Sequence, residues 1–403
     1  MRILNVTQSY APFLEFGGPP VKVRALSEAL VQRGHQVTVV TADWNLAARF
    51  PGGEVPPSTS MSPFGWRCEA NGVQAIYLPT WFHYRALSWN PAVKRFARAR
   101  LQNCDVVHIF GLYDLLGPAI AATCRVKNIP YVVEPIGMFR PIVRSFWKKR
   151  LYHSSLGKPL LAGARKLIVT SEQEADELVL GSIAPDKTFL RRNGVEIPQV
   201  LPDRNAFRAK RGIPANAKVI LFLGRLSSKK SPDLLLQAFA RLGSTLHDVD
   251  ARLVFAGPDH EGMSANLSRL ADRFGVTPRV LFTGPLFDTA KWEAYRDADV
   301  FVLPSQNENF GNTAAEAVGA GTPVVVTENC GVAPLLAGVA GLVVPHDAAA
   351  LSEALRRLLI DSVLQARLSA GCAEVTSRLG WAEPAAAMES LYATLVAPTA
   401  LIP

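Results

Sequence analysis

Two glutamates, Glu308 and Glu316, bracket the seven residues Asn309-Phe310-Gly311-Asn312-Thr313-Ala314-Ala315. Val300–Leu303 ahead of them reads as a buried strand, and Thr313 onward as a helix. Glu308 and Gly311 then fall on a short loop and Glu316 in the first helical turn. Free amides at a helix start, beside the carboxyl end of a strand, suit a phosphate. The run Thr313-Ala314-Ala315-Glu316 also matches a capping box, in which Glu316 only reaches back to the Thr313 amide. Spacing leaves both readings open. A second loop of this kind, Gly224-Arg225-Leu226-Ser227-Ser228-Lys229-Lys230, follows the strand candidate Val219–Leu223. Arg225 and Lys230 can converge there on one diphosphate, the guanidinium as a fork and the ammonium as a point charge. A solvated loop is the plainer alternative. No cluster of metal ligands accompanies the two loops, so the sequence predicts phosphate chemistry without a metal or other cofactor.

The first half holds weaker candidates. Phe16-Gly17-Gly18-Pro19-Pro20 lies between the first strand and the helix Val21–Gln32; Gly17 and Gly18 would let backbone approach a ligand, or simply make a tight turn. His108 ends the apolar strand Val106–Phe110, where a core histidine is the plainer expectation. Thr170-Ser171-Glu172-Gln173-Glu174 is explained by an N-cap with an acidic first turn.

These residues need strands and helices to position them, and the 403-residue chain supplies two sets. One core does not grow to that size, so two domains are expected. Continuous Val, Ile and Leu runs mark parallel strands buried on both faces. In the first half they are Ile3–Thr7, Gln36–Thr41, Val73–Leu78, Val106–Phe110, Tyr131–Glu134 and Lys166–Thr170. In the second they are Val219–Leu223, Arg252–Ala256, Val280–Thr283, Val300–Leu303, Val324–Thr327 and Gly341–Val344. The polar, proline-bearing stretch after Asn193-Gly194 reads as the connection. The expected fold class is α/β, with two Rossmann-like domains, residues 1–200 and 201–375, facing each other across a cleft. A closing helix within 376–403 is expected to pack back on the first.

Composition narrows the classes. Apolar residues are 49% and charged residues 19% of the chain, and no apolar run approaches the length of a membrane span. The start Met1-Arg2-Ile3-Leu4-Asn5 enters a strand directly, which predicts a cytoplasmic protein without a signal peptide. Five scattered cysteines predict reduced thiols rather than zinc ligands. The net charge of +9 is uneven: residues 1–200 hold 24 Lys and Arg against 14 Asp and Glu, and residues 201–403 hold 19 against 20. Cations and aromatics cluster at Tyr84–Arg100 (Arg85, Lys94, Arg95, Arg98 and Arg100, with Trp89 and Phe96) and at Arg144–Lys158 (Lys148, Lys149 and Arg150, with Phe146 and Trp147). Such faces suit the anionic inner surface of a cell membrane, or are simply solvated. Nucleic acid is not expected, since no binding motif accompanies the charge.

Together, Pro304-Ser305-x-x-Glu308-x-Phe310-Gly311, the pair Glu308 and Glu316, Gly321-Thr322-Pro323-Val324-Val325 and the earlier Gly224-Arg225-Leu226 with Lys230 resemble the retaining glycosyltransferases of the GT-B fold, family 4. The resemblance spans nearly the whole chain. It implies that Glu308 holds hydroxyls of a donor sugar and Glu316 the ribose hydroxyls of its nucleotide, UDP and GDP both being compatible. Asn309, Phe310, Gly311, Asn312 and Thr313 would meet sugar and diphosphate, and Arg225 and Lys230 would neutralise the leaving diphosphate. Gly17 and Gly18 would lie near that diphosphate and His108 at the donor sugar. Where many relatives read Pro-His-Gly-Met, this chain has Pro135-Ile136-Gly137-Met138, with Glu134 as a substitute contact on the acceptor side. The implied reaction moves a hexose to a glycan or to a lipid-linked or other cell-surface acceptor. A nucleotide-sugar epimerase of related fold, or a sugar-nucleotide-binding protein with little catalysis, are the rivals. The retained Arg225, Lys230, Glu308 and Glu316 argue against both.

Overall fold

A computed structural model describes residues 1–14, 17–46, 58–84, 87–139, 150–243, 249–259 and 261–397. The chain forms two compact units, Met1–Gly194 together with Trp381–Pro403, and Val195–Gly380. The change of unit comes at Gly194 because Val195 already belongs to the second core: its amide donates to the Leu379 carbonyl at 2.7 Å, and its side chain is buried there.

Among the described residues, the first unit contains β1 Arg2–Thr7, β2 Gln36–Ala42, β3 Thr59–Ser62, β4 Gly65–Ala70, β5 Val73–Leu78, β6 Phe82–Tyr84, β7 Leu87–Trp89, β8 Val106–Phe110, β9 Tyr131–Glu134, β10 Lys166–Val169 and β11 Thr188–Leu190. One sheet runs β11-β10-β9-β8-β1-β2-β5-β4-β3, and β6 and β7 form a separate ribbon. The pairs from β11 to β5 are parallel, whereas β4 and β3 add an antiparallel edge. Successive side chains feed opposite faces of the sheet. Ile3, Val37 and Val39 pack with the helix Gly18–Gln32 and with Met388 and Tyr392 of the closing helix Ala382–Val396. Leu4, Val6 and Val40 pack on the other face with Phe96, Ile120 and Leu160. The short strands β3, β6, β7 and β11 carry too little alternating apolar sequence to be read in advance.

The second unit contains β12 Lys218–Leu223, β13 Ala251–Ala256, β14 Val280–Gly284, β15 Val300–Leu303, β16 Val324–Thr327 and β17 Gly341–Val344, ordered β14-β13-β12-β15-β16-β17. Every described pair is parallel, and apolar clusters cover both faces. The strand order steps outward one way from β12 and the other way from β15. The carboxyl ends of these two neighbours therefore flank the point where open α/β sheets bind ligands. The corresponding point in the first unit lies between β1 and β8.

Candidate functional site

The loops leaving β12 and β15 bring the second unit's predicted residues together. The strands are paired in register, Ile220 with Val300 and Leu221 with Phe301. Beyond them the Gln306 amide donates to the Lys229 carbonyl at 3.0 Å, tying loop to loop. The Lys230 ammonium is ion-paired with the Glu308 carboxylate, both about a fifth exposed. Arg225 on the same loop is exposed. The Glu308 backbone is clamped from behind: its amide donates to the Asn329 carbonyl and its carbonyl accepts from the Gly331 amide, each at 2.9 Å.

Gly311 then turns the chain into the helix Asn312–Gly319. Its φ of 101° is left-handed, and a Cβ there would lie 2.6 Å from Cys330 Sγ, so glycine alone fits. The Ala314 and Ala315 amides donate to the Gly311 carbonyl at 3.0 and 3.1 Å, and the N-cap residue, a glycine, has no side chain to cap the helix. The Asn312 and Thr313 amides precede the first intrahelical bond and carry the positive end of the helix dipole. Of the amide or side chain expected to meet a ligand at Phe310, the fold leaves the amide: the side chain is buried in the core and the carbonyl accepts from the Val332 amide at 2.7 Å.

Glu316 does not form the capping box. Its Oε1 accepts from Lys291 Nζ and its Oε2 from Tyr295 OH, both at 2.9 Å. Lys291 and Tyr295 stand one turn apart on the helix Asp288–Asp297, a spacing that puts them on one face. Burial, and then the adjacent Glu316 carboxylate, push the Tyr295 phenol well above its ordinary pKa, so it stays a donor. The two residues orient the Glu316 side chain. Their four-residue spacing was visible in the sequence, but nothing there named their partner. The neighbouring Cys330 thiol, pushed up to about 12 by burial and then by the Glu308 charge, stays protonated.

The pair Asp297 and Asp299 lies at the other end of β15. Asp297 accepts from the Asn205, Phe207 and Arg208 amides, and Asp299 pairs with Arg208 and Lys218. These carboxylates brace the fold. Among the described residues, no three His, Cys, Asp or Glu side chains gather as metal ligands.

In the first unit, Gly17 takes a φ of 104° as the cap of the helix that Gly18 opens. His108 and Glu134 are not available for the contacts expected of them, since both side chains are fully buried. His108 Nδ1 is 2.7 Å from Tyr392 OH, its ring stacks on Phe110 at 3.8 Å, and its Nε2 lies 3.5 Å from Glu134. Burial lowers its pKa to about 4, which leaves it neutral near pH 7. Glu134 accepts from Lys22 at 2.5 Å and is also paired with Arg191. Burial opposes its ionisation, but Arg191 and Lys22 together hold it well below the usual carboxylate range. A polar network thus joins the helix Gly18–Gln32, the ends of β8 and β9, the segment after β11 and the closing helix. Lys22 and Arg191 carried no motif that pointed to it. The Ser171 hydroxyl accepts from the Glu174 amide at 3.2 Å as an N-cap. The basic residues Arg85, Arg144, Lys148 and Lys149 lie outside the described residues.

Residues 203–373 match the family model described as glycosyl transferases group 1, and residues 17–194 match that of a glycosyl transferase 4-like domain. A D-inositol 3-phosphate glycosyltransferase of Xylanimonas cellulosilytica is 31% identical over 414 residues, covering 94% of this chain and 91% of that protein. One of Streptomyces bingchenggensis is 38% identical over 253 residues, covering 59% of this chain and 55% of that protein. The chain thus matches about half the length of the latter. Among solved structures, Anabaena HepE in complex with UDP and glucose superposes with a TM-score of 0.73 at 18% identity, over 98% of this chain and all of that one. No described helix is long and apolar enough to cross a membrane.

Proposed function

Because the chain belongs to the family-4 glycosyltransferases, with two Rossmann-like units of the GT-B type, we propose that it transfers a hexose, with retention of anomeric configuration, from a nucleoside diphosphate sugar to an acceptor hydroxyl. The observation that carries this reading is the convergence of Lys230, Glu308 and the start of Asn312–Gly319 at the strand ends of β12 and β15. In it, Arg225, Lys230 and the Asn312 and Thr313 amides take the diphosphate. Glu308, paired with Lys230, takes sugar hydroxyls, and Glu316, oriented by Lys291 and Tyr295, takes the ribose diol.

The bond from the anomeric carbon to the diphosphate oxygen breaks, and charge grows on that oxygen. Fixed cations and amides stabilise such charge without reorganising. The acceptor oxygen bonds to the same face of the sugar, and its proton passes to the departing phosphate. No metal is needed, since the cations do that work. The acceptor is a glycan or a lipid-linked cell-surface molecule. The name of the Xylanimonas relative, a D-inositol 3-phosphate glycosyltransferase, favours a second reading, a small phosphorylated cyclitol.

A thermal-shift panel of UDP, GDP, ADP and CMP sugars tests the donor. A ligand at 100 times its dissociation constant stabilises by about 2.7 kcal/mol. Transfer to glycan, lipid-linked and inositol phosphate acceptors, with NMR of the product anomer, tests the rest. One donor class should shift the melt and yield the retained anomer. No shift with any donor, or an inverted product, would overturn the proposal.

A further inference from the structure

We infer that the β6–β7 ribbon and the helix Val93–Arg100 together form a docking surface for an anionic lipid bilayer. The ribbon pairs Phe82 with Trp89 and His83 with Ser88. Neighbouring pairs face opposite sides of a two-stranded ribbon. On one side Ser88 is buried, bonded by Gln8 at 2.7 Å and itself bonding Asn90 at 2.6 Å. Asn90 in turn donates to the Leu78 and Pro79 carbonyls, so this side is fixed to the carboxyl ends of β1 and β5. The other side faces water with Phe82 60% and Trp89 53% exposed, and Trp81, just before the ribbon, is 74% exposed. The Trp81 amide donates to the Trp89 carbonyl at 3.1 Å, and the two indoles meet edge to face at 6.3 Å. A fixed aromatic cluster in water gains nothing for a lone molecule, and it marks a surface that meets something else.

The charge beside it says what. The chain continues from Asn90 straight into the helix, which buries Val93, Phe96 and Ala97 and exposes Lys94, Arg95 and Arg98. Arg95 bonds the Pro63 carbonyl and lies over Phe64 at 5.5 Å. Just before that turn Met61 of β3 is 67% exposed, and just after it Gly65 of β4 lies against Tyr77 and Pro79. The apolar groups and the cations therefore belong to one edge of the first unit. Amphipathic aromatics flanked by Lys and Arg suit the headgroup region of an anionic membrane.

The inference goes beyond the donor chemistry and is tested apart from it. The full chain is mixed with vesicles of phosphatidylcholine alone, or of equal parts phosphatidylcholine and phosphatidylglycerol, and both sedimentation and tryptophan emission are read. Binding and a blue shift are expected with the anionic vesicles, reversed by salt. Lys94→Glu with Arg98→Glu should weaken binding about 25-fold, at about fivefold per neutralised cation before counting repulsion. Trp81→Ala with Trp89→Ala should weaken it at least tenfold and remove the blue shift. Val126→Ser, which removes an exposed apolar side chain elsewhere, should change nothing, and all variants should keep the wild-type melting shift with donor. Equal vesicle binding by wild type and both double variants would overturn the inference. So would a tryptophan signal that saturates with maltohexaose but not with vesicles, which would make the ribbon a glycan platform. Failure of the donor reading would appear instead as no donor shift in the wild type, with vesicle binding untouched.

Discussion

Replacing Glu316 with glutamine removes one charge from a carboxylate gripped at both oxygens, by Lys291 and by Tyr295, each at 2.9 Å. The amide oxygen can still accept from Tyr295, and Lys291, 24% exposed, can turn to water. The fold should lose about 1 kcal/mol or less, the usual worth of a partly solvated pair. Nucleotide binding should lose far more, because a hydrogen bond to a charged group contributes roughly 1.5–3 kcal/mol. That corresponds to about 10- to 150-fold in dissociation constant. Calorimetric titration with the preferred nucleoside diphosphate measures it, with urea unfolding as the control. A nucleotide lacking both ribose hydroxyls sharpens the assay: it should bind the wild type about as weakly as Glu316→Gln binds the full nucleotide, and the two losses should not add. Unchanged nucleotide affinity in a variant of normal stability would refute the reasoning and leave Glu316 as a brace for the Asp288–Asp297 helix.

Glu134→Gln leaves Lys22 and Arg191 as buried cations without their carboxylate; it should cost about 3–5 kcal/mol in urea unfolding yet leave nucleotide affinity within twofold by calorimetry. Asp114 is buried, its pKa raised by burial from 3.8 to about 6. The native state therefore keeps a proton that the unfolded chain has lost, and the stability this gives below pH 3.8 is lost as pH rises through 6, up to about 3 kcal/mol. Asp114→Asn should accordingly gain on the wild type in thermal melts between pH 4 and 7, and a constant difference would contradict it. Activity should survive EDTA, measured as transfer before and after dialysis; loss restored by Mg²⁺ or Mn²⁺ would mean Arg225 and Lys230 do not carry the phosphate charge alone.

The central strands of both sheets were legible because strands buried on both faces must be largely apolar, as Val324–Thr327 and Val106–Phe110 are apart from Thr327 and His108. The edge strand Thr59–Ser62, Thr-Ser-Met-Ser, has no such demand on it and left no pattern. Loops between strand and helix pointed to phosphate chemistry through residue type, which is why Arg225, Lys230, Glu308 and Gly311 stood out; the structure pairs Lys230 with Glu308 and turns the chain at Gly311. The partner of a side chain is another matter, because it is set by tertiary packing. Thr313 and Glu316 have capping-box spacing, but the carboxylate found Lys291 and Tyr295, more than twenty residues upstream. His108 and Glu134 resembled ligand contacts at strand ends, and only packing of the closing helix through Tyr392, with Lys22 and Arg191 inserted, makes them interior groups.

The central claim is that Arg225 and Lys230 stabilise the departing diphosphate, and single-turnover transfer from the preferred nucleotide sugar tests it most directly. Arg225→Ala and Lys230→Ala should each slow the chemical step by roughly 10²–10³-fold, the usual loss for one fixed donor to developing charge. Affinity for the matching nucleoside should stay within a few fold, since it carries no diphosphate. A chemical step of wild-type rate in either variant, with the donor saturating and the fold intact, would contradict the account.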